Sequence, residues 1–212
     1  MGSSTHTATT EDKRERTVET AREYFHKFGY RKASLSDLIE ETGISKPTFY
    51  NYFKNKEELF FTVMAETYNE FAYQYSQKAK AAVSAPQKLE IFVTTYAWFL
   101  DAYPIFRDLN VPGNDLLPRW VGSRAARDFF SEGMETIRSI IEQGIDEGLF
   151  DGSLDMQKAS LAVYHMIVSA LSNDPSAYRR KNGPDLVMDP ALLVKLVGRA
   201  LSAPQADCAA GN

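Results

Sequence analysis

Apolar residues recur at three- to four-residue spacing along nearly the whole chain, and no run alternates with period two. The pattern predicts helices throughout; there is no Asn-Gly hairpin and no repeat at a solenoid period. A first helix over Glu11 to Phe28 turns Val18, Ala21 and Phe25 inward and Arg14, Arg16 and Arg22 outward, and Gly29 ends it. Ser34, three residues before Asp37, forms a capping box for a second helix with Leu35, Leu38 and Ile39 on one face. Gly43 then stops that helix, because a residue without Cβ takes positive φ at low cost. Ser45 caps a third helix starting at about Lys46, with Pro47 in its first turn, where the missing N–H has no intrahelical partner anyway. Phe49 and Phe53 face inward, leaving Thr48, Tyr50, Asn51 and Tyr52 mostly exposed. Asn55 and Glu58 cap a long fourth helix that begins at Lys56 and runs toward Ala82 behind a stripe of Phe60, Met64, Tyr68, Phe71 and Tyr75.

Beyond Pro86 the same period continues. It predicts a helix near Gln87 to Ala102, a short piece begun by Pro104, and a loop over Val111-Pro112-Gly113-Asn114-Asp115. A long helix is expected from Trp120 to Leu149 and another from Leu154 to Ser172. Asn173-Asp174-Pro175 breaks the latter, a connector bearing Arg179, Arg180, Lys181 and Gly183 follows, and Pro190 opens a last helix through Leu201. The fold class expected is all-α.

Composition narrows the function. The chain of 212 residues, 44% hydrophobic, can bury a real core. Its net charge is −4, yet residues 11–56 hold ten Lys/Arg against eight Asp/Glu, leaving 14 against 20 of the chain's 24 and 28 elsewhere. The N-terminal unit is mildly basic and the remainder acidic. Cys208 is the single cysteine, so no disulfide framework exists and a reducing cytoplasm is the expected location. Every apolar stretch is interrupted by charge well short of the ~20 residues a membrane span needs. An enzyme is not expected: there is no H-E-x-x-H, no phosphate-cradling glycine loop and no G-x-S-x-G. His6, His26 and His165 have no metal-ligand spacing, so neither metal nor cofactor is anticipated.

The stretch from Ser34 to Phe60 presents a helix, a tight turn and a second helix as a DNA-reading element is presented. With Ile39, Gly43, Ile44, Ser45, Thr48, Tyr50, Tyr52, Phe53, Lys56, Leu59 and Phe60 at their present spacing, preceded by Phe28-Gly29-Tyr30, it resembles the DNA-binding domain of the TetR family of transcriptional regulators. The resemblance implies a disordered arm over 1–10, a helix-turn-helix head over 11–56, a helical effector-binding and dimerisation body over 57–203 and a flexible tail over 204–212. It also implies a ligand-responsive repressor that leaves a palindromic double-stranded operator when a small hydrophobic or aromatic effector binds. By the same resemblance Lys46, Pro47, Thr48 and Asn51 meet base edges, while Ser34, Ser36, Tyr50, Tyr52 and Lys56 hold phosphates. For Tyr52, packing against the first helix is the alternative.

The body offers Tyr96, Phe99, Tyr103, Phe106, Trp120, Phe130, Met134, Tyr164 and His165 as candidate effector-pocket residues, with Tyr103 and Trp120 as gate candidates beside the loop. Most of these positions also suit ordinary core, and a lone histidine such as His165 is commonly a hydrogen-bonded core residue. Two apolar faces, Leu161, Tyr164, Val168 and Leu171 with Leu193, Leu196, Val197 and Leu201, exceed what one domain buries and predict a homodimer. The weakly basic head points the same way, since two heads on one duplex hold better than one. A helical adaptor without sequence-specific DNA binding is the competing reading.

Overall fold

The computed structural model describes residues 10–109, 115–172 and 188–203, and among these residues the regular structure is ten helices with one isolated bridge. Most of the predicted loop at 111–115, the 173–175 break, the basic connector, the N-terminal arm and the tail with Cys208 lie outside the described residues.

The head is built by local rules. Helix α1 (Thr10–Lys32) kinks at Gly29, where φ is 71°, and one further turn follows instead of the expected stop. Helix α2 (Leu35–Thr42) opens on Ser34, whose Oγ accepts from the Asp37 N–H at 3.5 Å. It closes at Gly43 with φ 68°. Helix α3 (Lys46–Tyr52) starts where Ser45 Oγ accepts from the Thr48 N–H at 3.3 Å. Each cap satisfies a donor that the helix itself leaves unpaired. Val18, Ala21 and Phe25 meet Leu38, Ile39, Phe49 and Phe53 in one buried cluster.

Helix α4 (Lys56–Ala79) is capped by Asn55, whose Oδ1 accepts from Glu58 N–H at 2.8 Å. It buries Leu59 and Phe60 against α1 and carries Met64, Tyr68 and Phe71 into the body. There it packs on α5 (Ala85–Ala102) and α8 (Arg124–Asp146). Two short helices, α6 (Ile105–Asp108) and α7 (Leu116–Gly122), lie between them in sequence. The single helix expected from Trp120 is therefore two: Ser123 is extended, and its Oγ accepts from the Ala126 N–H at 3.1 Å to start α8 afresh. Helices α9 (Met156–Ser172) and α10 (Pro190–Leu201) complete the body against α8 and α5.

Candidate nucleic-acid interface

Phe49 is fully buried and fixes the rotation of α3, so that Lys46, Pro47, Tyr50 and Asn51 are exposed on its other side. Tyr50 is 55% exposed. Thr48 is half-buried, its hydroxyl 2.8 Å from Ser45 Oγ, and Tyr52 is half-buried against the core beside Phe53. Ser36 is exposed at the start of α2, and Ser34 is occupied as its cap.

Lys56 departs from the expected phosphate clamp. Its Nζ donates to the carbonyls of Tyr30 and Ala33, both at 2.9 Å, and lies 4.3 Å from the centre of the Tyr30 ring. Desolvation there lowers its pKa from the ordinary lysine value. The side chain is a strut between the end of α1 and the start of α4, across 23 to 26 residues of sequence. Lys56→Ala should therefore cost about 2 kcal/mol of stability, the usual scale for hydrogen bonds from a charged group. Chemical denaturation would check this, and an unchanged midpoint would contradict the strut.

The structure adds two cations. Lys13 and Arg16 of α1 line a cleft of about 410 Å³ together with Thr42, Gly43, Ile44, Ser45 and Thr48, beside the exposed side of α3. Their i, i+3 spacing on an outward face was the available signal. Arg14 and Arg22, expected on the same outer side, are half-buried instead: Arg14 bridges to Glu66 at 3.4 Å and covers the Phe53 ring, and Arg22 pairs with Glu19.

The nine effector candidates are placed mostly in closed core. Tyr96, Phe99, Phe106, Trp120 and Tyr164 are buried, and Tyr103, Phe130 and Met134 are partly so. Phe99 contacts Tyr96, Tyr103 and Phe106 ring to ring, and Phe130 meets Tyr164 edge-on. Tyr96 Oη is 3.2 Å from Ser172 Oγ, and burial pushes its pKa up to about 12, so the phenol stays neutral. Trp120 is wedged between Phe61 and Phe129 rather than standing as a gate. His165 is exposed on the outer side of α9, not in the core.

Two clefts open elsewhere, and none of the nine lines either. One, of about 650 Å³, runs between α4 and the α7–α8 junction over Phe61, Tyr68 and Phe129, with Glu57, Glu66, Asp128 and Glu132 around it. The other, of about 450 Å³, lies at the Gly29 kink against α6 and α7. The base of α4 is tied to the same region by Glu57, which pairs with Arg119 of α7 at 2.6 Å, and by Phe61, whose ring meets Trp120.

The predicted dimer faces divide. Tyr164, Leu171, Leu193, Val197 and Leu201 are buried within the subunit, because α9 and α10 use those positions to pack on their own neighbours. Leu161, Met166, Leu192 and Leu196 are 42–48% exposed and form the outward apolar surface of α9 and α10.

Residues 18–63, spanning the turn, its caps and the first turns of α4, match the family described as bacterial regulatory proteins, tetR family. That segment is a TetR-family DNA-binding domain. Over 153 residues the chain is 22% identical to the fatty acid metabolism regulator protein of Bacillus subtilis, covering 71% of this chain and 77% of that one. Over 62 residues it is 39% identical to the HTH-type transcriptional repressor ComR of Escherichia coli, covering 29% of this chain and 30% of the repressor. Its fold matches that of the regulator FadR from Bacillus subtilis, solved with stearoyl-CoA, at a TM-score of 0.66 and 18% identity over 88% of this chain and 98% of the other. The all-α architecture, a helix-turn-helix head followed by a larger helical body, is the TetR-family one.

Proposed function

We propose that this TetR-family regulator is a homodimeric repressor that holds a two-fold symmetric operator and lets go when a small hydrophobic effector binds its body. The observation that carries the reading is the outward side of α3, where Lys46, Pro47, Tyr50 and Asn51 stand exposed on a helix anchored by buried Phe49. Lys46 and Asn51 can donate to purine edges and Pro47 can pack on a thymine methyl. Tyr50, Tyr52, Ser34 and Ser36 are assigned to phosphates, joined by Lys13 and Arg16 in place of Lys56. The division into a head over 11–56 and a body over 57–203 is part of the proposal, with α4 as the connection. No helix among the described residues is long and apolar enough to cross a membrane, and a protein acting on operator DNA would work in the cytoplasm.

Repression and ligand release are supported by the names of the relatives, one a repressor and one a regulator solved with stearoyl-CoA. Effector and DNA would oppose each other through α4, since its base is tied to both α1 and α7. A coupling of about 1–3 kcal/mol is typical of such systems.

The test is retention of the DNA flanking the protein's own gene. Lys46→Ala with Asn51→Ala should weaken a specific duplex by about 10- to 100-fold or more, as each good base contact is worth about 1–3 kcal/mol. Non-specific DNA, held by phosphate contacts, should be affected much less. No retention of any duplex by the unaltered protein at low salt would overturn the proposal in favour of an adaptor.

A further inference from the structure

We infer that the cleft at the Gly29 kink binds a single-chain anionic amphiphile, a long apolar chain ending in a carboxylate or a phosphate-bearing head. The floor is apolar and comes from four helices: Tyr30 of α1, Phe60 of α4, Ile105 and Leu109 at α6, and Leu116 of α7. Phe60, Ile105, Leu109 and Leu116 are all buried to 9% exposure or less, so an occupant meets an existing apolar wall. The rim is cationic, with Lys27, Arg31 and Lys32 exposed along the last turns of α1, and the carboxylates that act on Tyr30 from α4 and α7, Glu57 and Asp115, are both paired with Arg119. The neighbouring cleft on α4 has the opposite character, ringed by carboxylates.

A helix C-terminus ordinarily repels an anion, because its last carbonyls carry partial negative charge. Here Lys56 offsets that effect. Its ammonium occupies the carbonyls of Tyr30 and Ala33 and lies on the face of the Tyr30 ring, placing a further positive charge behind the floor. Phe28 adds an aromatic side chain to the lining at 40% exposure, its ring tilted against Tyr24 with the Lys27 ammonium 5.0 Å from its centre. A volume of about 450 Å³ falls within the range of small-molecule sites.

The position gives occupancy a consequence, which rests on the regulator reading above. The floor joins α1 and α4 of the head side to α6 and α7 of the body, so a chain lodged there favours one angle between them. A ligand shifts such an equilibrium only by its difference in affinity for the two arrangements. In this site the difference comes from how much apolar wall the four helices offer together.

The experiment is calorimetric titration of the full chain, below the micelle concentration, with dodecanoate, dodecyl phosphate and dodecyltrimethylammonium. Saturable binding of one anionic amphiphile per subunit is expected, tightening up to about fourfold for each added methylene that the floor buries. Lys27→Gln with Lys32→Gln should weaken it at least tenfold at low salt while the fold is kept, since both side chains are exposed. Ile105→Trp should abolish it by filling the floor; if that variant unfolds, the rim variant decides alone. Preference between the two anions identifies the head group. Equal binding of the cationic amphiphile, or rim-variant binding unchanged, overturns the inference. Duplex retention is measured on the same samples: release of the operator as the amphiphile saturates is the result expected of the regulator, whereas amphiphile binding by a protein that retains no duplex even without it would overturn the regulator reading and leave the cleft assignment standing.

Discussion

Leu161→Glu combined with Leu196→Glu is expected to leave a folded monomer whose hold on its operator falls by about two to four orders of magnitude. The two leucines are 42% and 47% exposed, so neither supports the subunit's own core, which is closed behind them by Tyr164, Leu193 and Val197. In a two-fold interface each substitution appears twice, and four carboxylates would have to be desolvated where apolar surface had met apolar surface. The head cannot compensate, because residues 11–56 carry only ten Lys/Arg against eight Asp/Glu. Linking two weak heads makes the second contact intramolecular, and that advantage disappears with the dimer. Sedimentation velocity and a gel shift on the same samples test the chain of steps. A variant that remains dimeric at micromolar concentration would move the interface elsewhere, and a monomer that binds as tightly as the original would remove the need for two heads.

Gly144→Ala is expected to lower stability by about 3 kcal/mol, near the upper end for an overpacked site. A Cβ on Gly144 would meet three atoms of the Phe150 ring at 2.0 to 2.6 Å, and that ring is only 5% exposed. The ring has little freedom to retreat. The N–H groups of Leu149 and Phe150 both donate to the Gly144 carbonyl at 2.9 Å, which folds the chain back over the end of α8. From this turn Asp151 N–H reaches the Leu201 carbonyl at 2.9 Å and Ala203 N–H reaches the Leu149 carbonyl, clasping the end of α10. Displacing Phe150 therefore loosens α10, which carries Leu192 and Leu196 of the proposed interface. For a chain of this size the melting temperature should fall by about 6–12 °C, with subunit dissociation rising alongside. A melting temperature within a degree or two of the original would mean the ring has an alternative seat.

These two sites differ in how far they could be foreseen. The head was legible because its signals are local: Ser34, Ser45 and Asn55 bond to amides three residues away, and Gly43 acts through its own φ. The Lys56 contacts were not legible, since nothing near position 56 marks carbonyls 23 and 26 residues earlier as its partners. The break at Ser123 could have been seen as a cap following Gly122, but the apolar period running through it favoured one continuous helix. For the aromatic residues of the body, spacing shows which side of each helix is apolar and is silent on whether opposing sides close. Phe99, Phe106, Phe129 and Tyr68 meet ring to ring, and the larger cleft opens on the α4 side of Tyr68 and Phe129 rather than among the nine expected residues.

The sequence by itself determined the helical class, the caps and turn of the head, and the inward seats of Phe49 and Phe53, because each depends on hydrogen bonds and side-chain directions within one or two turns. Only the tertiary structure decided that Lys56 is a strut, that Leu161 and Leu196 face out while Leu193 and Val197 face in, and that the rings of Tyr96, Phe99 and Phe106 are buried against one another. Those outcomes depend on which distant surfaces come together, and packing at near-crystalline density allows a given aromatic ring one neighbour set that its own helix does not specify.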